Sequence, residues 1–401
     1  MTPFNATSFR RQFPALTHPG VYLDSAATAL KPQTVVDAVQ QFYRQENGTV
    51  HRSQHHAAQR LTQRFEQTRE QIAALIHAND PRSIIWTKGT TEAINLVAQS
   101  YARPRLRPND EIVVSEAEHH ANLIPWLMVA EQTGARVIKL PIGADLLPDI
   151  KQLPHLLNSR TRMLALGHMS NVTGGIPDLA AAIQLAHHYG ARVMIDGAQG
   201  MVHCPPDVQA LDIDFYAFSG HKLYAPTGLG VLYGKTALLE SMAPWQGGGK
   251  MMTQVSFDGF TPQAIPHRFE AGTPHIAGVI GLSAAVDWLS RQDWRAAELY
   301  SQALAGQAET RLARLPGFRS FRCADSSVLS FEFAGIHHSD LITLLTESDI
   351  ALRAGHHCAQ PLMTALGING TLRVSFAPYN NEQDVDSLIT AVGAALELLT
   401  D

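Results

Sequence analysis

Lys222 stands in Ser219-Gly220-His221-Lys222, directly after the apolar run Phe215–Phe218. A lysine is ordinarily exposed and solvated. This one follows a run that reads as a buried strand, between Gly220 and Pro226. Burial and nearby cations lower the pKa of an ammonium group, and a neutral amine attacks carbonyls. Lys222 is therefore a candidate Schiff-base lysine, with a plain surface lysine as the competing reading. Upstream, Arg192–Asp196 is a short apolar run ending in a carboxylate, and Ala198 and Gln199 follow at once. Asp196 alone reads as a turn or cap residue. Beside Lys222, on a neighbouring strand end, it becomes a candidate partner for a protonated ring nitrogen. An amine that holds a carbonyl and an acid that keeps a pyridine protonated are what pyridoxal phosphate demands.

Other residues suit the same chemistry. Gly89-Thr90-Thr91 precedes a helix-like run, and a helix N-terminus with hydroxyls attracts anions. Plain N-capping by threonine is the alternative. Arg373 lies in the apolar run Leu372–Phe376 and needs an anionic partner, either a ligand or a salt-bridging carboxylate. His119 and His120 are adjacent in Glu118-His-His-Ala-Asn122, and the sequence does not choose between them. Cys358 follows Gly355, His356 and His357, a polar loop that suits a reactive thiol. A small buried hydrophobe is the competing reading of that cysteine. Adjacent ligands rarely converge on one ion and no spaced second set follows, so no metal is expected.

These residues need strand ends to hold them. From Ile84 onward strand, loop and helix alternate: strands are expected at 84–87, 112–115, 136–140, 162–167, 193–195, 215–218 and 229–233. The alternation predicts an α/β fold with a mostly parallel sheet covered by helices on both faces. Ligands gather at the carboxyl ends of such strands, where Asp196, Lys222, Glu118, His119 and Asn171 all fall. A loop region is expected over 251–275, and one long helical stretch over 276–315. Short strands and helices after it predict a small α+β domain. The expected division is an N-terminal segment, 1–20, packed on the body, a large cofactor-binding domain over 21–280, and a small domain over 281–401 carrying the Cys358 loop.

Composition is compatible with this. The chain has 401 residues, 45% hydrophobic and 17% charged, with a net charge of −5. That is enough for a large core and argues against a nucleic-acid partner. Met1–Arg11 is polar, unlike a signal peptide, and no run approaches the roughly 20 apolar residues of a membrane span. Three cysteines, Cys204, Cys323 and Cys358, suggest no disulfide framework and fit a cytoplasmic protein.

Asp196-Gly-Ala-Gln199 with Ser219-Gly-His-Lys222 resembles the class V branch of fold-type I pyridoxal phosphate enzymes. Arg353-Ala-Gly-His-His-Cys358-Ala resembles the group II cysteine desulfurases of the CsdA and SufS types. The resemblance runs from Tyr22-Leu-Asp-Ser-Ala-Ala-Thr28 to the last helix. It implies that Lys222 carries the cofactor, Asp196 faces its ring nitrogen, and Thr90, Thr91, Ser219 and His221 hold its phosphate. It implies that His119 stacks on the ring, that Asn171 and Gln199 bond its oxygen, and that Asn171 also faces the substrate. Arg373 would clamp the substrate carboxylate, with Arg353 nearby. Thr273, in Glu270-Ala-Gly-Thr273-Pro, would reach the phosphate of a second subunit, which implies a homodimer. Cys358 would take sulfur from L-cysteine as a persulfide and pass it to a small acceptor of the SufE or CsdE kind. Selenocysteine lyase and cysteine sulfinate desulfinase share the scaffold and are the nearest alternatives. A class V aminotransferase would have no use for Cys358. A non-catalytic sulfur-relay protein on the same scaffold is the alternative of a different class. A nucleotide-binding protein is disfavoured, because no Gly-x-Gly-x-x-Gly turn follows the early strands.

Overall fold

The computed structural model describes residues 4–400. Its centre is a seven-stranded sheet built from β1 (Ile84–Thr87), β2 (Glu111–Ser115), β3 (Arg136–Leu140), β4 (Thr161–Gly167), β5 (Arg192–Asp196), β6 (Phe215–Ser219) and β7 (Gly230–Gly234). The spatial order is β1-β7-β6-β5-β4-β2-β3. Strand β7 runs antiparallel to both of its neighbours, and every other pair is parallel. Successive side chains of a strand point to opposite faces. The core divides accordingly: Val113, Leu164, Ile195 and Phe218 pack on one face, and Ile112, Ala165, Met194 and Ala217 on the other. Both faces are covered, which is why these strands read as continuous apolar runs rather than alternating ones.

The topology gathers one edge. Strands β4, β5 and β6 end there at Gly167, Asp196 and Ser219, with Gly167 opposite Asp196. The start of β7 returns to the same edge, where Gly230 sits opposite both Ser219 and Thr87. The chain leaves β1 at Thr87, turns at Gly89 and enters the helix Thr90–Leu96. Gly230 lets that turn approach closely, since a Cβ on it would lie 2.4 Å from the Gly89 Cα.

Four antiparallel strands form a second sheet: β8 (Phe318–Ser320), β9 (Val328–Phe333), β10 (Arg353–Gly355) and β11 (Thr371–Ser375), in the order β8-β9-β11-β10. Leu329, Phe331, Leu372 and Val374 pack with the helices Trp294–Leu312, His338–Glu347 and Glu382–Thr400. The opposite face carries Ser330, Arg373 and Arg353 in register across the strands. Ser330 Oγ donates to the Val172 carbonyl (2.6 Å), which ties this face to the loop after β4.

Two stretches differ from the sequence reading. The helix expected over 276–315 is broken: Ile276–Leu289 packs in the core of the large sheet, and Trp294–Leu312 packs on the small one. Asp293 caps the second helix, its carboxylate accepting from Ala296 N–H (3.1 Å). The region 251–275 is not all loop, because Met252–Ser256 and Gly259–Pro262 pair as a hairpin. The N-terminal helix Ala6–Arg10 buries Phe9 against Phe13 and Trp288. Val21–Tyr22 pairs with Ile350–Ala351 beside the small sheet.

Candidate active site

A cleft opens at the gathered edge, between the large sheet and the arginine-bearing face of the small one. Lys222, Asp196, Gln199, His119, Asn171 and Arg373 all line it, as do Thr90, Thr91, Ser219, His221 and Arg353. Eleven of the thirteen residues singled out from sequence therefore meet in one place, and Thr273 and Cys358 lie outside its wall.

Lys222 ends the 3-10 turn Gly220–Lys222 that follows β6. Its amine donates to Gln199 Oε1 (3.1 Å). Burial, helped by the cations Arg373 and Arg353, pulls it down to about 8 against the opposing pull of Asp196. Asp196, at the end of β5, accepts from Ala198 N–H (2.9 Å). Burial raises its pKa, while that N–H and Lys222 work the other way. The turn before Lys222 is fixed from outside, because Lys31 Nζ (2.7 Å) and Ala29 N–H (3.2 Å) both donate to the His221 carbonyl.

Thr90 N–H donates to Ser219 Oγ (2.9 Å), and the two hydroxyls lie 2.7 Å apart. Hydroxyls and helix N–H groups thus collect at one corner of the cleft. His221 joins them, pushed down to about 4 by burial and by Lys222 and Lys31. Its Nδ1 is buried without a partner.

His119 faces the cleft, and its Nδ1 accepts from Ala121 N–H (3.0 Å). Burial and the charge of Lys222 push it down to about 4. His120 turns away, its Nε2 accepting from Gln360 N–H (3.1 Å) and its own N–H donating to the Cys358 carbonyl (2.7 Å). His120 is thus held by the start of the helix Gln360–Leu366, which the sequence reading missed. Pro361 in its first turn and Gly367 at its left-handed cap are the signals that could have found it.

Arg373 is 1% exposed. It donates from Nη1 to the Asn171 carbonyl (3.0 Å) and from Nη2 to Asp24 Oδ1 (3.1 Å), and its Nε has no partner. Arg373 thus has the salt-bridging carboxylate of one sequence reading, and it also lines the cleft. Asp24, which the sequence reading gave no role, is the residue that holds it.

Cys358 is half-buried in the loop between β10 and the helix Gln360–Leu366. The loop is tied down: Asn171 Nδ2 donates to the His357 carbonyl (2.8 Å), and the buried His357 ring meets Thr371 Oγ1 (2.9 Å). His357 and Cys358 have φ values of 52° and 56°, a left-handed conformation that costs non-glycine residues energy. Thr273 is exposed and lines a separate groove with Lys88, Gly228 and Trp245. Its segment is anchored by Glu270, which accepts from Arg69 Nη1 (2.7 Å) and Trp86 N–H (3.0 Å).

A buried amine, an acid at a strand end, a corner of hydroxyls and helix N–H groups and a buried arginine thus share one cleft, and the model of the class V aminotransferases matches residues 21–388. The chain belongs to that family. Over 401 residues it is 66% identical to cysteine desulfurase CsdA of Escherichia coli K12, covering 100% of both chains. The crystal structure of E. coli CsdA in its S-sulfonic acid form superposes with a TM-score of 0.94, covering 98% of this chain and 99% of that one. An apo cysteine desulfurase from Thermococcus onnurineus, 33% identical, gives 0.92 and covers 100% of both. C-DES, 25% identical, has been solved with glycine linked to its pyridoxal phosphate and gives 0.80, covering 96% and 98%.

Proposed function

We propose that this chain is a pyridoxal-phosphate-dependent cysteine desulfurase, converting L-cysteine to L-alanine with the sulfur held on Cys358. One observation carries the reading: the Lys222 amine, the Asp196 carboxyl and the Arg373 guanidinium line a single cleft with the Cys358 loop tied to its rim.

The residues fit the cofactor. The Lys222 amine, near 8, is partly neutral at physiological pH, as covalent capture of an aldehyde requires. His221 Nδ1 and Arg373 Nε are buried nitrogens without partners on residues that line the cleft, which suits anionic ligands there. Thr90, Thr91, Ser219 and His221 would take the phosphate, and Gln199 and Asn171 the ring oxygen. Asp196 would face the ring nitrogen and His119 the ring plane. When bound, pyridoxal phosphate supplies an electron sink for the charge left at the substrate Cα.

The remaining work belongs to the chain. Arg373, held by Asp24 and Asn171, grips the substrate α-carboxylate through its fork, with Arg353 opposite it in register. Lys222 Nζ would move the α-proton. The Cys358 thiolate forms an S–S bond to the substrate sulfur as the C–S bond breaks. The carbon keeps the bond's electron pair and takes a proton, giving alanine, and the persulfide stays on Cys358. By resemblance a SufE- or CsdE-like protein accepts that sulfur. Thr273, exposed outside its own chain's cleft, supports a homodimer in which it serves the partner's phosphate. We assign the protein to the cytoplasm on its sparse, unpaired cysteines. Among the described residues no helix is long and apolar enough to cross a membrane. We set the join between the large and small domains at 290–293, the break between their helices, rather than near 280.

A second reading has its own observation. Cys358 stands beside the cleft rather than in its wall, so selenocysteine and cysteine sulfinate, whose bonds break without a thiol nucleophile, are further substrates. Turnover of all three by wild type and Cys358→Ala tests this. Loss with cysteine alone supports desulfuration by Cys358, and equal loss with all three makes the cysteine a general structural requirement.

A further inference from the structure

Glu118 is a buried carboxyl to which the desulfuration gives no task. It leaves β2 just before His119, and its side chain joins three elements. Oε1 accepts from Gly167 N–H (2.7 Å), at the end of β4. Oε2 accepts from Asn122 Nδ2 (2.7 Å), and Asn122 Oδ1 accepts from Trp126 Nε1 (3.0 Å). Gly167 is the register partner of Asp196. Asn122 and Trp126 are both 0% exposed. The chain of bonds therefore runs from the core of the helix Ile124–Thr133, through Glu118, to the strand pair that carries Asp196.

We propose that Glu118 is a positioning residue for the reaction: a carboxyl clamp that fixes the His119 loop against the strand end presenting Asp196. Every bond in it is directional. Both Glu118 oxygens accept, and both partners donate. Burial raises the pKa of this carboxyl, and the two bonds donated by Asn122 and Gly167 pull the other way, towards the carboxylate that accepts from both. The inference rests on the pyridoxal phosphate reading, because His119 and Asp196 are the two groups assigned to the cofactor ring.

The directionality supplies the test. In Glu118→Gln the new amide faces the Asn122 amide, donor to donor. Turning Asn122 over sets its amide against the Trp126 N–H instead. In the double variant Glu118→Gln/Asn122→Asp, the new amide oxygen still accepts from Gly167 N–H, and the new amide nitrogen donates to one oxygen of the new carboxylate. The other carboxylate oxygen accepts from Trp126. The clamp is rebuilt with one bond reversed. Three quantities are measured for each protein: affinity of the apoprotein for pyridoxal phosphate by absorbance titration, kcat and KM for L-cysteine, and the Tm of the apoprotein. The single variant is expected to lose about 10- to 100-fold in kcat, on the scale set by a small misplacement of reacting groups, and to bind cofactor more weakly. The double variant is expected to recover both to within about threefold of wild type. A single variant within about twofold of wild type, or a double variant no better than the single one, overturns the clamp. If the single variant does not fold, an active double variant supports the clamp and an unfolded one overturns it. Wild type that shows no cofactor band on adding pyridoxal phosphate would refute the functional reading itself, a result distinct from equal activities.

Discussion

At the scale of single residues, the site is assembled before any ligand arrives. Arg373 is buried and already fastened to Asp24 and Asn171, so its fork is fixed at little further entropic cost. Arg373→Lys keeps a charge and loses the fork. The kcat/KM for L-cysteine is expected to fall about 10- to 100-fold while the cofactor band remains, and an unchanged kcat/KM would contradict the clamp. Lys222 carries a pH prediction. Its reactive form is the neutral amine, and its pKa is lowered from 10.5 to about 8. Capture of pyridoxal phosphate by the apoprotein should therefore speed up as pH rises towards 8 and level off above it. A rate still climbing at pH 10 would mean that the burial of Lys222 has no chemical consequence. Most of these residues were legible in the sequence, because a charged group inside an apolar run is conspicuous. Asp24 was not, because its partner lies far away in the chain and spacing carries no trace of such a pair, and Glu118 was legible only as a residue at a strand end, its tie to Gly167 being hidden for the same reason.

At the scale of elements, the strand ends are what the sequence specifies best. Runs such as Arg192–Asp196 and Phe215–Ser219 are short, apolar on both faces and closed by a polar residue. The turns after these strands are packed by contacts that a local pattern does not encode. The turn at Gly89 depends on Gly230, remote in sequence and opposite Thr87 in the sheet. In Gly230→Ala the new methyl would lie 2.4 Å from backbone, which no side-chain rotation relieves. The turn carrying Thr90 and Thr91 must shift, and affinity for pyridoxal phosphate is expected to fall about tenfold or more, read by absorbance titration. Unchanged affinity would remove that turn from the phosphate site. The broken helix at Ser290–Asp293 and the hairpin Met252–Pro262 escaped the sequence reading for related reasons. A break between two apolar helices keeps the apolar period, and an exposed hairpin buries too little to show one. That His119 rather than His120 lines the cleft belongs here too, since His120 is held by Gln360 N–H and the Cys358 carbonyl.

At the scale of the whole molecule, buried histidines give the fold a pH signature. His119, His168 and His221 are held near 4 and His357 near 3, each first by burial. Below their usual 6.5 the unfolded chain takes up protons on these rings that the native chain refuses. Stability from this source is present above 6.5 and is lost as pH falls towards 4. Glu118 and Asp196, raised by burial, act in the opposite sense over that window, but they are two groups against four. The Tm of the apoprotein should therefore drop between pH 6.5 and 4.5, and a flat or rising profile would contradict the native burial of these rings. At this scale too, a site facing the small sheet and a cysteine on a loop of that sheet are proposed to act on one substrate. The most direct test is a single turnover of L-cysteine by wild type and by Cys358→Ala, with alanine and protein-bound sulfur followed together. One alanine and one Cys358-bound sulfur per chain are expected in wild type, and neither from cysteine in the variant. Turnover of cysteine by the variant at the wild-type rate would contradict it.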